Sequence, residues 1–140
     1  MKIGITGTRE GATAEQLDKL RKVLTGLVAT SIEDNVTIEF HHGDCKGVDE
    51  QAAIIAAELG YRIVCHPPKD NYLRANHPSN EFRKPLGYMQ RDRNIVDECD
   101  ILFVVPLQNK WQPKGGTWYT HDYAKQTKKP LHVFWPGEPE

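Results

Sequence analysis

Residues 101–105 read ILFVV, an apolar run without a single polar side chain. A strand of this kind is typical of a parallel sheet that is covered by helices on both faces. Four other short runs, at residues 2–6, 36–41, 61–65 and 131–135, are rich in β-branched or aromatic residues and are predicted strands as well. The sequence therefore predicts a framework of five strands.

The segments between these strands have the spacing of helices. Thr13 and Gln16 form a predicted capping box in front of the first helix, in which apolar side chains recur every three or four residues. Residues 48–59, 90–98 and 117–127 are three further predicted helices. Strands that alternate with helices favour parallel pairing with right-handed crossovers.

The predicted fold class is α/β, a Rossmann-like three-layer sandwich with a five-stranded, mainly parallel sheet in the order 3-2-1-4-5. The chain of 140 residues has the size of one domain, predicted to span residues 1–140. Residues 67–89 contain four prolines and fit neither period, so we predict a long loop that is functional or mobile.

Composition narrows the function. The chain has 18 basic and 19 acidic residues, and this balance excludes the broad basic field of a duplex-DNA binder. No apolar run approaches the ~20 residues that span a bilayer, and the first residues resemble a strand rather than a signal peptide. We therefore expect a cytoplasmic protein without a membrane partner. Three cysteines without CxxC spacing predict neither a disulfide framework nor a structural zinc site.

Glycine-bearing loops follow three of the predicted strands and lead into helices, at the edge of the sheet where α/β proteins bind ligands. Glycine lets the backbone approach a ligand closely, and a helix N-terminus attracts anions. The alternative is that these glycines only allow the chain to turn. Neither GxGxxG nor GxxxxGK[ST] is present, which argues against a dinucleotide dehydrogenase and a Walker-type NTPase. The candidate ligand-binding residues are Gly7, Thr8, Arg9, Gly43, Asp44, Gly47, Asp49, Arg91, Arg93, Asn94, Gly115, Gly116 and Thr117.

Several of these candidates carry alternative roles. Asp44 and Asp49 are tentative catalytic residues or ribose ligands, although Asp49 in a first helical turn also complements the helix dipole. Arg9 suits a phosphate, and its alternatives are a solvated loop residue or a partner of Glu10. Arg91 also suits a phosphate, and its alternative is pairing with nearby acids. The Thr117 hydroxyl is predicted to cap the last helix and to touch the ligand.

Three histidines, His41, His42 and His66, lie at strand ends near Asp44 and Cys45. Their spacing matches no known metal motif, so we predict hydrogen-bonded or solvent-facing side chains, with no metal and no cofactor.

Three aromatic residues flank the last glycine loop: Trp111, Trp118 and Tyr119. They are suited to stack on a base, to pack on the neighbouring helix or to form a subunit contact, and the sequence does not separate these alternatives.

Four motifs in this order, at residues 4–9, 43–49, 91–94 and 115–117, resemble the SLOG superfamily. That group includes the Lonely Guy cytokinin-activating hydrolases, the DNA-processing protein DprA and small YspA/YpsA-like proteins of phages and bacteria, to which the likeness is greatest. The resemblance extends from residue 2 to about residue 135. It implies a Rossmann-like fold, a nucleotide or nucleotide-derived ligand, and a homodimer or larger homo-oligomer.

The resemblance also points to a departure from the family. In the Lonely Guy enzymes an arginine and a glutamate hydrolyse the N-glycosidic bond of a nucleoside monophosphate, and the glutamate lies just after a GGxGT loop. Here Thr117 is followed by Trp118, Tyr119 and Thr120, and the nearest acid is Asp122.

The resemblance therefore favours binding of a phosphorylated nucleoside or an ADP-ribose-like metabolite, by a sensor or sequestering protein, over catalysis. The first alternative is an N-glycosidic hydrolase or deoxyribosyltransferase. The second is a single-stranded nucleic-acid-binding module, which the near-zero net charge disfavours. Its basic strip would comprise Lys69, Arg74, Arg83, Lys84, Arg91 and Arg93.

Overall fold

The structure is a computed structural model that describes residues 1–138. Its strands are β1 (Lys2–Gly7), β2 (Glu39–His42), β3 (Arg62–Cys65), β4 (Glu81–Phe82), β5 (Ile101–Val105) and β6 (Leu131–Val133). Its helices are α1 (Ala14–Asp34), α2 (Val48–Glu58), α3 (Tyr88–Glu98) and α4 (Gly116–Gln126). Within the described residues, none of these helices is both long and apolar enough to cross a bilayer.

All strands pair in parallel in one sheet, with the order β4-β3-β2-β1-β5-β6. The five predicted strands have their predicted order, and the Rossmann-like layout is confirmed. The prediction of five strands was wrong by one, because β4 lies inside the segment that we predicted to be a loop. Two residues of β4 pair with β3, through Val64–Glu81 and Cys65–Phe82, and so short a strand leaves no alternating pattern in the sequence.

The two faces of the sheet are covered by different helices. Phe103 and Val105 of β5 belong to a core that includes residues of α1 and α2, whereas Leu102 and Val104 belong to a core with α3 and α4. Since successive strand side chains point to opposite faces, β5 needs apolar residues at every position. This explains the ILFVV run.

Two of the helix ends agree with the sequence pattern, and two others differ from the prediction. The capping box is present, because Gln16 N donates to Thr13 Oγ1 at 3.0 Å and Thr13 N donates to Gln16 Oε1 at 2.9 Å. Gly60 follows the C-cap Leu59 of α2 and has a φ of +92°, a left-handed conformation that is common for glycine just after a helix. The prediction that Thr117 caps the last helix was wrong: Gly115 is the N-cap, and Thr117 lies inside the first turn. Helix α3 begins two residues before its predicted start, directly after Gly87.

Candidate functional site

A cavity of about 360 Å³ lies at the carboxyl ends of β1 and β5. In this kind of sheet, ligands bind where the strand order reverses, and β1 and β5 flank that point. The volume falls within the range of small-molecule sites. The loop after β1, the turn after β2, the first turns of α3 and the start of α4 all contribute to its walls.

Eight of the thirteen candidate ligand residues line this cavity. They are Gly7, Thr8, Arg9, Asp49, Arg91, Gly115, Gly116 and Thr117. The other five do not line it: Gly43, Asp44, Gly47, Arg93 and Asn94. The loops after β1 and β5 thus meet at one site. The turn after β2 contributes Cys45, which is not among the candidate ligand residues, and the first turn of α2 contributes Asp49.

Gly47 brings the turn after β2 against the loop after β1. Its φ of +91° is a conformation that side chains with a Cβ rarely adopt, and an added Cβ would lie 2.5 Å from the Arg9 carbonyl oxygen. Val48 N donates to Thr8 O at 3.1 Å across the same contact. Two backbones therefore pack directly on each other, and this contact fixes one wall of the cavity.

Arg91 is buried in the cavity wall and acts as a clamp, because its guanidinium joins α3 to the residues that follow β2 and β3. Its Nε donates to Asp92 Oδ1 at 2.7 Å, and its Nη1 donates to the carbonyl oxygen of Gly43 and, at 3.2 Å, to that of His66. Burial lowers the pKa of Arg91, but the neighbouring carboxylate of Asp92 opposes this and the pKa lies above its ordinary value. Protein groups already occupy Nε and Nη1, so this geometry favours the pairing alternative over a bidentate phosphate contact.

Asp49 places a titratable carboxyl group in the cavity wall. Its Oδ2 accepts hydrogen bonds from Gly43 N at 3.0 Å and Cys45 N at 3.4 Å. Burial raises the pKa of Asp49 to about 6, against the lowering effect of Arg91. This carboxyl group changes protonation near neutral pH. Burial raises the pKa of the nearby Cys45 thiol to about 11, which leaves it protonated at neutral pH.

Tyr88 and Asp92 also line the cavity, although neither is among the candidate ligand residues. The Tyr88 ring centroid lies 5.5 Å from the Arg9 guanidinium carbon and 5.4 Å from that of Arg91, so the ring contacts two cations. Asp92 lies on α3 with Oδ2 4.0 Å from the place that a Cβ on Gly116 would take. Burial raises the pKa of Asp92, and Arg91 opposes that shift. A tyrosine after a glycine was the only available signal for Tyr88.

Asp44 does not line the cavity, although it is one of the candidate ligand and catalytic residues. Its side chain is fully buried, its Oδ2 lies 2.6 Å from Arg74 Nε, and its Oδ1 accepts from His77 N at 2.9 Å. Both oxygens are used to hold residues 74–77 against the turn after β2. The geometry therefore gives Asp44 a structural role, whereas its predicted catalytic role remains a prediction.

Trp118 and Trp111, near α4, differ in burial and therefore in which of the predicted roles, stacking, packing or subunit contact, they suit. Trp118 is buried, with its ring centroid 5.1 Å from that of His121 and 5.9 Å from that of Trp135, so it packs as well as lining the cavity. Trp111 is 52% exposed and donates from Nε1 to Asp122. Because Trp118 is buried, an exposed subunit contact is not open to it.

Two further candidates lie outside the cavity walls. The exposed Arg93 donates from Nη1 to Tyr119 Oη at 3.3 Å. Asn94 follows it on α3, partly buried.

The three strand-end histidines are buried and hydrogen-bonded. His41 Nδ1 lies 2.8 Å from His66 Nε2, and His42 Nε2 lies 3.0 Å from Ser79 Oγ. Burial lowers the pKa of His42 and of His66 to about 3 and also lowers that of His41. All three imidazoles are neutral at pH 7.

No protein-family model matches the sequence, and no curated protein matches it. Solved structures do match. The molybdenum cofactor binding protein of Rippkaea orientalis has a TM-score of 0.64 at 21% identity, over 94% of this chain and 74% of that one. The molybdenum cofactor carrier protein of Chlamydomonas reinhardtii has a TM-score of 0.62 at 18% identity, over 94% and 74%. DNA processing protein A of Helicobacter pylori, described for its single-stranded DNA binding, has a TM-score of 0.61 at 17% identity, over 95% of this chain and 64% of that one.

These similarities show a Rossmann-like α/β fold. More particularly, the chain has the SLOG/DprA-like fold that its four motifs predicted.

Proposed function

We propose that the protein binds a phosphorylated nucleoside or an ADP-ribose-like metabolite in the cavity, as a sensor or a sequestering protein. One observation carries the proposal: the loop after β1 and the glycine-rich start of α4 border the same cavity. No side chain caps the amides at the start of α4, so they are left to bind an anion.

Charge and fold add support. Arg9 and Lys114 are exposed cations on the cavity wall, suited to phosphate oxygens. Tyr88 adds an aromatic surface for a base or ribose. The two fold neighbours described as molybdenum cofactor proteins bind a small molecule, which favours a small ligand here as well.

Calorimetry on the full chain tests the proposal with AMP, ADP-ribose, inorganic phosphate and uncharged adenosine. We expect the phosphorylated compounds to bind and adenosine to bind weakly. Lys114→Ala should weaken binding about threefold to tenfold, the effect of a partly exposed charge contact of about 1 kcal/mol. Lys125→Ala removes the same charge from the last turn of α4 and should leave affinity unchanged. Equal affinities for the two variants, or no binding by any phosphorylated compound, would refute the proposal.

The second candidate is hydrolysis of an N-glycosidic bond, or deoxyribosyl transfer. Asp49 and Asp92 favour it, because both carboxyl groups line the cavity and burial raises the pKa of each. Asp92 supplies a carboxyl group beside the glycine loop, although from α3 rather than from the helix after that loop. Chromatography of nucleoside monophosphate reactions would detect released base. Asp92→Asn should abolish release, whereas the exposed Asp97→Asn on the same helix should not.

The third candidate, binding of single-stranded nucleic acid, has less local support. Within the predicted basic strip, Arg74 is paired with Asp44, Arg83 with Glu98, and Arg91 is buried. The Helicobacter pylori neighbour is described as a single-stranded DNA binder. Fluorescence anisotropy with a labelled oligonucleotide would favour this candidate if affinity fell steeply with salt.

A homodimer or larger assembly is also proposed, through the exposed side chains of Leu107 and Trp111. Light scattering after size-exclusion chromatography tests it, and a monomer at all concentrations would refute it.

A further inference from the structure

We propose that His41, His66 and Glu98 form a binding site for a divalent transition-metal ion of the zinc type, separate from the cavity. His66 Nε2 lies 2.8 Å from His41 Nδ1 and 3.2 Å from Glu98 Oε2. The three ligand atoms all lie within 4.8 Å of one another. A tetrahedral zinc ion with bonds of about 2.0–2.1 Å separates its ligand atoms by roughly 3.3 Å. The two separations at His66 are already close to this value, and the separation between His41 and Glu98 lies within 4.8 Å.

The hydrogen bonds already direct ring nitrogens of both histidines towards each other. His41 Nε2 lies 2.9 Å from Glu39 Oε1, and because a carboxylate can only accept, Nε2–H donates this hydrogen bond and the lone pair of Nδ1 faces His66. A single proton on His66 Nε2 fills the space between the rings. A metal ion would replace that proton, which would move to His66 Nδ1, so both imidazoles remain neutral.

The contact between Glu39 and His41 is the arrangement that supports metal-binding histidines elsewhere. Such histidines usually donate their other ring N–H to a carboxylate, which fixes the tautomer and the ring.

Arg83 competes with the ion for Glu98. Its Nη2 lies 3.1 Å from Glu98 Oε1, and its Nε lies 3.3 Å from Oε2, the oxygen assigned to the metal. The Glu98 side chain is 32% exposed, whereas those of the histidines are almost fully buried. An ion would enter beside Glu98, where a water molecule can complete the tetrahedron.

A second group of buried donors, His42, Asp44 and Cys65, is less suited to an ion. Both Asp44 oxygens are bonded, to Arg74 and to the amide of His77. Both ring nitrogens of His42 are engaged as well, Nδ1 by Asp44 N and Nε2 by Ser79. Binding there would break hydrogen bonds that hold the long loop, whereas binding at the first cluster replaces a proton.

The test is calorimetric titration of Zn²⁺ into chelator-treated full-length chain. We expect one ion per chain, and an affinity at least tenfold lower in Glu98→Gln. The exposed His132 is the matched control, so His132→Gln should bind like the wild type. Arg83→Gln removes the competing cation but no ligand, so its affinity should be equal or higher. Circular dichroism checks that each variant is folded.

Three results would overturn the proposal. The first is a wild-type chain that binds no zinc, and the second is equal weakening by Glu98→Gln and Arg83→Gln, which would mean that the cluster is only an ion-pair network. The third comes from Co²⁺ as an optical substitute for zinc. We expect visible tetrahedral bands without thiolate charge transfer, whereas a thiolate band would place the ion at Cys65. None of these results depends on whether a nucleotide binds in the cavity.

Discussion

Replacing Gly47 by alanine is expected to lower the free energy of unfolding by about 2–6 kcal/mol. The φ of +91° costs a residue with a Cβ about 1–3 kcal/mol. The new Cβ would also lie 2.5 Å from Arg9 O and 2.6 Å from Thr8 O. Because these are backbone atoms, relieving the overlap should cost about 1–3 kcal/mol more. The loss would be a large share of the stability of a chain of this size.

Urea unfolding followed by circular dichroism measures this loss, and Gly26→Ala is the matched control. Gly26 lies exposed inside α1, and a Cβ there would meet nothing within 4 Å. The same substitution should therefore stabilise the protein by about 0.5–1 kcal/mol, because alanine loses less conformational freedom in a helix. If Gly47→Ala unfolds within about 0.5 kcal/mol of the wild type, the inferred backbone contact between the two loops is wrong.

Three further predictions concern buried ionisable groups. The free energy of unfolding should fall as the pH drops from about 6.5 towards 4, because the unfolded chain protonates His42 and His66 whereas burial holds their pKa near 3 in the folded state. Urea titrations at each pH measure this slope, and His42→Gln should flatten it by up to ~1.4 kcal/mol per pH unit. Arg74→Ala should destabilise by about 2–4 kcal/mol in the same assay, because it leaves the buried Asp44 without its cation, and a loss below about 1 kcal/mol would contradict the structural role of that carboxylate. Arg91→Lys should cost about 2–4 kcal/mol in thermal unfolding, since one ammonium group cannot replace a guanidinium that contacts three separate acceptors, and an unchanged midpoint would contradict the clamp.

Local patterns predicted the parts of the fold that local chemistry controls. The capping box at Thr13 and the order of the five main strands depend on neighbouring residues and on crossover handedness, and both are confirmed. Strand β4 was missed because its two residues become a strand only where β3 lies beside them.

The position of the cavity could also be predicted in part from the sequence. Loops that follow strands must reach the same edge, so the glycine loops after β1 and β5 could be placed there from the sequence. The direction of a single side chain depends on partners that are distant along the chain. Asp44 turns away because Arg74, in the long loop, folds back onto it. Tyr88 and Asp92 reach the cavity only because α3 packs beside β1.

The placement of Trp118 gives the protein its own optical reporter. The indole lies in the cavity wall, almost wholly shielded from water, and donates from Nε1 to Gln108 Oε1 at 3.1 Å. Gln108 lines the same cavity, so a molecule that settles there would alter the surroundings of the indole directly. Changes in intrinsic emission can therefore follow occupancy in real time without any attached dye, and replacing Trp111 by phenylalanine would remove an exposed source of background light.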